Sequence, residues 1–276
     1  MNNSPSIFAT GVSGTIGKHF ADKVLEINID LLKPMQIFIP LIKPGDLILH
    51  AAAVVGSVNV RKDVTSSYLV NVQSSIRLAQ FAKDLGVSKF VYVSTSHVYA
   101  KSDEILNEDS TTLPNNVYAE QKLEAEQGIS QIFSDSPEKL CIVRVFSVLD
   151  WDVADFTLGG AIKKLILPNS DFILSNADDV RDFLTPRKIA TCLISIANCR
   201  SLHGIVNLST RTAITVREAA LIMLEQSGFK LPKDRIVGGC SDFPYIVGDN
   251  SKVKSFIPDL DLTWKPTHRS QFTSKS

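Results

Sequence analysis

The sequence predicts an α/β fold built on a doubly wound parallel sheet, and three observations lead to this prediction. Apolar segments of strand length alternate with segments of helical periodicity, which is typical of a parallel sheet covered on both faces. A glycine-rich turn follows the first apolar segment. The length of 276 residues suffices to bury a full core, either as one large domain or as one domain with a smaller lobe.

The glycine-rich turn reads G-V-S-G-T-I-G from Gly11 to Gly17 and follows a predicted strand at residues 6–10. Apolar residues after the turn recur at helical intervals and predict a helix: Ile16, Phe20, Ala21, Val24 and Leu25. Glycines here let backbone N–H groups approach a pyrophosphate at the positive end of a helix. The pattern therefore predicts a dinucleotide site. The alternative is an ordinary strand–turn–helix that is rich in glycine.

Tyr118 and Lys122 are four residues apart in Y-A-E-Q-K, so a helix places both side chains on one face. An ammonium beside a phenol favours the phenolate, and the phenol proton is then exchangeable near neutral pH. The pair is therefore interpreted as an acid/base device. Because one such match arises easily by chance, its weight comes from the glycine turn and a Ser/Thr cluster upstream of it.

The middle of the chain predicts two strands and the helix between them. Residues 46–53 form an apolar strand that ends in small residues, which would let a flat cofactor lie against the backbone. A helix follows over residues 71–85, and Gly86 ends it. Residues 89–93 form a buried strand that delivers Ser94-Thr95-Ser96, where a hydroxyl would hydrogen-bond a substrate oxygen. The alternative is a Ser/Thr cluster that simply ends a strand in a turn.

The composition indicates small-molecule partners. The 29 basic residues balance the 29 acidic ones and form no basic stripe, so no nucleic-acid partner is expected. The N-terminus lacks the features of a signal peptide and no apolar run is long enough to span a bilayer, which predicts a cytoplasmic protein without a membrane partner. The cysteines show no C-x-x-C pairing, so reduced thiols and no metal site are expected: Cys141, Cys192, Cys199 and Cys240.

In this order, the motifs resemble those of the extended short-chain dehydrogenase/reductases, the NAD-dependent epimerase/dehydratase group that acts largely on nucleotide sugars. The resemblance extends from about Ile7 to Leu208. It implies a Rossmann-type sheet with a small C-terminal substrate lobe, NAD or NADP as cofactor, and a homodimer formed through the helices near residues 71–85 and 118–127. The cofactor-binding residues that it implies are Gly11, Ser13, Gly14, Thr15, Ile16, Gly17, Ala51, Ala52, Ala53, Asn71, Val93, Tyr118 and Lys122.

The resemblance also implies the residues that act on the substrate. Its catalytic set is Thr95, Tyr118 and Lys122. The implied substrate-binding residues are Thr95, Ser96, His97, Ser147 and Arg181, of which the arginine would grip the diphosphate of a nucleotide sugar. The implied domains are a dinucleotide-binding domain over residues 1–148, with sheet continuing at about 181–210, and a substrate lobe over residues 149–180 and 211–276.

Several departures from the family pattern limit these expectations. Residues 35–40 are the candidate second strand, but they do not end in the Asp or Glu that would accept the adenosine ribose hydroxyls. No arginine stands there for a 2′-phosphate either, so NAD and NADP both remain open. Ser147 replaces the usual asparagine, and the family's G-P is replaced around Asp150-Trp151.

Position 97 bears on the reaction. Sugar dehydratases of this family resemble S-T-D-E-V-Y here, whereas this chain has Ser96-His97 in place of the two acids, so dehydration is not expected. Epimerisation and keto reduction both remain. His97 is either an additional acid or a structural residue, and His50 is expected to be structural. Two other functions stay open: an NADPH-dependent reductase of a non-sugar ketone, and a non-catalytic NAD(P)-binding regulator.

Overall fold

The computed structural model describes residues 5–27, 41–229 and 233–267. The strands within these ranges are Ile7–Thr10 (β1), Leu25–Glu26 (β2), Leu47–His50 (β3), Lys89–Thr95 (β4), Leu140–Val145 (β5), Ser147–Val148 (β6), Val180–Arg181 (β7), Phe183–Leu184 (β8), Gly204–Leu208 (β9), Ile214–Thr215 (β10) and Tyr245–Ile246 (β11). The α-helices are Ser57–Lys62 (α1), Val64–Tyr68 (α2), Ser74–Leu85 (α3), Val117–Ile132 (α4), Leu158–Leu165 (α5), Pro186–Asn198 (α6), Val216–Gln226 (α7) and Ser251–Phe256 (α8). A π-helical turn, Leu69–Gln73, precedes α3.

The central sheet has six strands in the order β2-β1-β3-β4-β5-β9, and every neighbouring pair is parallel. The chain runs from β1 outward to β2 and then returns to the other side of β1 with β3. Ligands of open α/β sheets bind outside the carboxyl ends of the strands at such a reversal. The predicted doubly wound parallel sheet is confirmed, and its switch point lies between β1 and β3.

Alternate residues of the central strands enter separate cores on the two faces of the sheet. Leu49 and Val91 belong to the core that α6 covers, whereas Ile48 and Phe90 belong to the core beneath α3 and α4. All four side chains are fully buried. Because successive residues enter opposite faces and both faces are buried, the strands are continuously apolar in sequence.

Two smaller sheets lie beyond the main one. The strands β10, β7 and β11 form one, and β6 pairs with β8 to form the other. Their core includes Leu149, Phe183 and Met223. Near the C-terminus, Val253 and Leu260 pack into the core of the central sheet, on the side that α6 covers. The chain therefore returns to the central sheet after building the smaller sheets.

The connection after the glycine turn differs from the sequence prediction. A helix through Leu25 was expected, but the structure has two short 3-10 turns, Gly17–His19 and Ala21–Lys23. Val24 is then extended, and β2 pairs beside β1 with Ala9 opposite Glu26. The return to the sheet edge leaves too few residues for a full helix. The candidate second strand at residues 35–40 lies outside the described residues.

The expected helix at residues 71–85 is confirmed in its regular part. α3 ends at Leu85, and Gly86 follows in the left-handed conformation with φ of 78°. Its amide bonds back to the carbonyls of Ala82 and Lys83. A glycine is favoured at this position because any side chain would strain a left-handed residue.

Candidate functional site

A cavity of about 400 Å³ opens at the carboxyl ends of the central strands. It is bounded by the glycine turn, the segments that follow β3, β4 and β5, and the first turns of α4. The predicted site residues that line it are Thr15, Ile16, Ala51, Ala53, Val93, Thr95, His97, Tyr118, Lys122 and Ser147. The fold thus brings the predicted catalytic residues, the small residues after β3 and part of the glycine turn to one cavity.

Other predicted residues do not line this cavity: Gly11, Ser13, Gly14, Gly17, Ala52, Asn71, Ser96 and Arg181. Among them, Gly11 and Gly17 shape the turn. A Cβ atom on Gly11 would lie 2.6 Å from the Ala52 nitrogen, and one on Gly17 would lie 2.0 Å from the Gly11 oxygen. Gly11 also has a φ of 73°, which a side chain would strain. These glycines let the turn fold on itself and pack against the end of β3.

The short connection after the turn changes the electrostatics expected there. No long helix follows Gly17, so the strong positive helix end that the sequence predicted is replaced by a 3-10 turn of three residues. The turn itself is well defined, because the Gly14 amide donates to the Gly11 carbonyl at 3.0 Å and the Lys18 amide to the Gly14 carbonyl at 3.1 Å. Two residues of the turn, Thr15 and Ile16, line the cavity.

The structure reveals an acidic residue at the end of the second strand. Glu26 is the last residue of β2 and its side chain is exposed. An acid at the end of the strand beside β1 is the usual acceptor for the adenosine ribose hydroxyls of NAD. Glu26 was not predicted as a site residue, because the second strand was expected farther along the chain, at residues 35–40. The sequence signal that could have identified Glu26 is an acidic residue a short distance after the glycine turn.

Thr95 ends β4 and begins the short 3-10 helix Ser96–Val98, where its Oγ1 accepts the His97 amide at 3.3 Å. Ser96 is only 3% exposed and lies off the cavity. His97 lines the cavity, and its side chain is exposed there. The surrounding protein and, secondarily, the positive charge of Arg181 lower the pKa of His97. The ring is therefore neutral at pH 7 and serves as a hydrogen-bonding group there.

Tyr118 and Lys122 lie on successive turns of α4. Asn116 caps the helix, since its side-chain oxygen accepts the Ala119 amide at 3.0 Å, and it also lines the cavity. Burial raises the pKa of Tyr118 to about 12. Burial also lowers the pKa of Lys122 to about 7, against an opposing effect of Glu126.

The position of Lys122 departs from the simple expectation of an ammonium beside a phenol. Its Nζ lies 4.0 Å from the centroid of the Tyr92 ring, a cation–π arrangement. From the sequence, the lysine charge is expected to favour the phenolate of Tyr118. In the structure the pKa of Tyr118 is raised instead, because desolvation of the phenolate dominates.

Asn71 supports the site from outside the cavity. It lies in the π-helical turn, where its Oδ1 accepts the Val54 amide at 2.8 Å. Its Nδ2 donates to the Val54 carbonyl at 3.0 Å and to Gln121 Oε1 at 2.9 Å. Asn71 thereby joins the segment after β3 to α4, beside Lys122. This contact positions the cavity wall relative to the helix.

His50 has a similar structural role, as the sequence analysis expected. Its Nδ1 lies 2.6 Å from Thr10 Oγ1, and its Nε2 lies 2.8 Å from Ser75 Oγ. Burial lowers the pKa of His50 to about 3, followed by the charge of Lys122, so the ring is neutral. Thr10 Oγ1 in turn accepts the Ala52 amide at 3.2 Å. The chain of hydrogen bonds fixes the small residues that line the cavity.

The predicted diphosphate ligand, Arg181, is engaged elsewhere. Its Nη2 donates to Asp179 Oδ2 at 2.8 Å and its Nη1 to the Val180 carbonyl at 2.9 Å. It lies off the cavity wall, although its charge reaches His97. Ser147, the other predicted substrate-binding residue after β5, does line the cavity.

The segment at residues 150–157 is a part of the site that was not predicted from the sequence. Val153, Phe156 and Thr157 of this segment line the cavity. Asp152 Oδ1 pairs with Lys18 Nζ at 2.6 Å, which ties the segment to the end of the glycine turn. A Cβ atom on Gly56 would lie 2.8 Å from the Phe156 ring. The segment carries no periodic pattern, so only its contacts reveal that it covers the cavity.

No group of three or more His, Cys, Asp or Glu side chains comes together as a possible metal site in the part of the chain that the structure describes. Across residues 5–27, 41–229 and 233–267, no helix combines the length and apolarity that crossing a bilayer requires.

Comparison with protein families gives a match over most of the chain. Residues 27–208 match the family model described as the NAD dependent epimerase/dehydratase family. The match begins after the glycine turn and includes the whole segment from β3 to β9. The interpretation of the turn as a cofactor site therefore depends on its own geometry.

Curated and solved relatives are similar along almost the whole chain. A UDP-glucose 4-epimerase from Azospirillum brasilense is 24% identical over 315 residues, covering 96% of this chain and 88% of the relative. The structure of RMD from Pseudomonas aeruginosa complexed with NADPH has a TM-score of 0.79 at 22% identity, covering 96% of this chain and 94% of that one. MoeE5 in complex with UDP-glucose and NAD has a TM-score of 0.75 at 20% identity, with coverage of 96% and 95%. At these identities the structural likeness establishes the fold.

Proposed function

The chain belongs to the NAD dependent epimerase/dehydratase family, and from this premise we propose that it is an NAD(P)-dependent 4-epimerase or 4-keto reductase of a nucleotide-diphosphate sugar. The observation that carries the proposal is the convergence of Thr95, Tyr118 and Lys122 on one cavity beside the glycine turn. A hydroxyl, a phenol and an amine in one cavity are the groups that acid–base exchange at a sugar carbon requires.

The residues around the cavity fit a dinucleotide. The turn at Gly11 and Gly17 has no room for side chains, and the small residues Ala51 and Ala53 leave the cavity wall open to a flat ring. We assign the glycine turn to the pyrophosphate and these alanines to the nicotinamide end. The bound nicotinamide would accept or donate a hydride, which is chemistry that no side chain supplies.

The side chains supply the accompanying proton transfer. The Thr95 hydroxyl orients the sugar oxygen, and the Tyr118 hydroxyl exchanges a proton with it. Because burial raises the pKa of Tyr118 to about 12, the phenol is protonated at neutral pH and is suited to donate a proton to a keto group. In the opposite direction, a charged Lys122 lowers the cost of the phenolate.

Dehydration is not part of the proposal. Elimination of water needs a group that withdraws one proton and delivers another. No Asp or Glu lines the cavity within the described residues, and the ring of His97 is neutral. This favours reactions that use only the hydroxyl, phenol and amine.

We propose NAD as the preferred cofactor, because Glu26 ends the strand beside β1. A carboxylate there accepts ribose hydroxyls and repels a 2′-phosphate. Glu26→Gln should therefore raise the preference for NADP over NAD about tenfold, since relief of like-charge repulsion is worth at least ~1.4 kcal/mol. Titration of the protein with both oxidised cofactors measures the ratio.

Asp22→Asn is the matched control for this prediction, because it removes the same charge from an exposed position nearby in the chain. It should leave the preference unchanged. An equal change in both variants would mean that the general charge of this edge, and not a contact at Glu26, sets the preference.

Arg181 tests the diphosphate part of the substrate. If the Arg181 guanidinium exchanges Asp179 for the diphosphate when substrate binds, Arg181→Ala should raise the KM for a nucleotide sugar about 10- to 100-fold with a smaller change in kcat, since a charge-assisted contact is worth ~1.5–3 kcal/mol. Arg217→Ala is the control, because Arg217 also pairs with a neighbouring aspartate, at 3.2 Å from Asp178, but lies on α7. An unchanged KM in Arg181→Ala would remove the arginine from substrate binding.

A second candidate function is the reduction of a non-sugar ketone. It is favoured by the engagement of Arg181 with Asp179 and by apolar walls at Val55, Val153 and Phe156. Turnover of a panel of UDP-, GDP- and dTDP-sugars, compared with steroid- and flavonoid-type ketones, separates the two. Activity confined to the ketones would overturn the sugar assignment.

The purified protein distinguishes epimerase from reductase. An epimerase reuses its cofactor in each cycle, so tightly held NAD should co-purify with it. A reductase exchanges its cofactor, so an empty site that fills with NADPH would favour that reaction. Light scattering of the same preparation tests the homodimer, which stays a prediction.

A further inference from the structure

A third ionisable residue shares the face of α4 that carries Tyr118 and Lys122. Glu126 follows Lys122 by one helical turn, and its side chain is 3% exposed. Unlike the other two residues, Glu126 does not line the cavity. Its carboxylate therefore lies inside the protein, one turn farther along the helix than the lysine.

Contacts from two strands hold the Glu126 carboxylate in place. Arg144 on β5 donates from Nη2 to Oε2 at 2.7 Å and from Nε to Oε1 at 3.2 Å. The Ser94 hydroxyl on β4 donates to Oε1. The Arg144 guanidinium also lies 4.6 Å from the Tyr99 ring centroid, and the Tyr99 hydroxyl donates to Asn207 Oδ1 at 2.7 Å. Glu126 is thus a fixed negative charge inside the protein.

Lys122 lacks such a partner. No carboxylate of the described residues lies within 4.0 Å of its Nζ, which instead rests over the Tyr92 ring. The titratable groups that interact with it come from β3, β4 and α4: His50, Tyr92 and Glu126, with Tyr118 one turn before it on α4. Of these, only Glu126 carries a negative charge at neutral pH, because both phenols have raised pKa values and the histidine is neutral.

Two opposing effects, burial and the charge of Glu126, set the protonation state of Lys122. Burial of an ammonium favours its neutral form and lowers the pKa of Lys122 to about 7, while Glu126 acts in the opposite direction. A neutral amine would neither favour the phenolate of Tyr118 nor attract anionic groups. Loss of the Glu126 charge would also leave the buried Arg144 guanidinium without its counter-charge.

We propose that Glu126 is a positioning residue that keeps Lys122 in its ammonium form, acting from a place fixed by Arg144 and Ser94. This inference rests on the proposed function only where it states that turnover needs the ammonium. The charge state itself is a property of the folded chain and is measurable without substrate.

The direct test is titration of Lys122 in the full-length protein. Because Lys122 is 2% exposed, the lysines are labelled biosynthetically with 13C, and the Lys122 signal is assigned by its loss in Lys122→Arg. In Glu126→Gln the titration midpoint should fall by about one pH unit. Glu120→Gln, which removes an exposed charge from the same helix, should leave it unchanged.

Activity gives a second measurement. If turnover needs the ammonium, it declines as pH rises through the pKa of Lys122. In Glu126→Gln this decline should move to lower pH by the same amount as the titration, with little change in KM. Glu126→Asp keeps the charge and should restore the wild-type profile in part.

Glu126→Gln leaves Arg144 buried without its partner, so the variant is checked for folding by thermal unfolding. If it does not fold, Glu126→Met combined with Arg144→Met replaces the pair by apolar residues of similar size, which proteins usually tolerate. This double variant should also lower the Lys122 titration midpoint, but by less than Glu126→Gln, because loss of the Arg144 positive charge partly offsets loss of the Glu126 negative charge. An unchanged midpoint in a folded variant overturns the proposal.

Different results would contradict the role of Glu126 and the proposed function. A shifted midpoint in a protein that turns over none of the substrates tested would uphold the role of Glu126 and count against the proposed function. Normal turnover of Glu126→Gln with an unchanged Lys122 titration midpoint and pH profile would overturn the role of Glu126 and leave the proposed function standing.

Discussion

Tyr118→Phe should lower kcat about 10²- to 10⁴-fold, the range by which a positioned acid or base accelerates a reaction. The substitution removes only the hydroxyl that exchanges the proton, while the ring continues to fill its place in the cavity wall. Cofactor affinity should therefore stay within a few-fold of the wild type. Steady-state kinetics and calorimetric titration with NAD measure the two quantities separately.

Tyr68→Phe is a matched control for this prediction. Tyr68 is partly exposed and also contacts α4, because its hydroxyl donates to Glu124, but it lies outside the cavity. The control should retain full turnover. Turnover by Tyr118→Phe at the rate of this control would refute the assignment of the phenol as the acid–base group.

The loss of Tyr118 and the loss of Lys122 should not be additive. If both act on one proton, Lys122→Met in the Tyr118→Phe background should cost little beyond the single variants. A multiplicative loss would indicate that the lysine has a separate role, such as holding the ribose.

Gly17→Ala should disrupt the glycine turn and with it both stability and cofactor binding. The added Cβ would lie 2.0 Å from the Gly11 oxygen and 2.6 Å from Val12 Cα, so the backbone itself must move. Overpacking of this kind costs ~1–3 kcal/mol or more and should lower the Tm by several degrees. Affinity for NAD should fall at least about tenfold, because the turn at Thr15 and Ile16 moves with it.

Gly14→Ala separates the two effects. A Cβ atom on Gly14 would lie 3.2 Å from the Gly11 oxygen, which needs an adjustment of only a few tenths of an ångström. Its Tm should stay close to that of the wild type. A loss of NAD affinity in this variant would then report a direct contact with the ligand. A wild-type Tm in Gly17→Ala would show that the turn is looser than its geometry indicates.

Much of the fold followed from local patterns. The alternation of strand-like and helix-like segments predicted the parallel sheet, and Gly86 correctly marked the end of α3. The four-residue spacing of Tyr118 and Lys122 placed both on one face of α4, where both line the cavity. These predictions succeed because periodicity and capping are properties of neighbouring residues.

The errors arose where a local pattern competed with a longer-range contact. Phe20, Val24 and Leu25 have helical spacing, yet the chain turns away because Leu25 pairs with Phe8 at the sheet edge. Glu26 was missed as a result. Asp152 and Phe156 were missed because a connecting segment shows its purpose only through what it touches.

The sequence by itself determined β1, β3, β4 and the helix between β3 and β4, and the face on which Tyr118 and Lys122 stand, since all of these depend on spacing along the chain. Only the tertiary structure decided that Glu26 borders β1, that Glu126 meets Arg144, and that burial moves the pKa of the phenol up and of the amine down. Charge states depend on the dielectric surroundings that distant segments create when they pack together. No pattern of neighbouring residues specifies those surroundings.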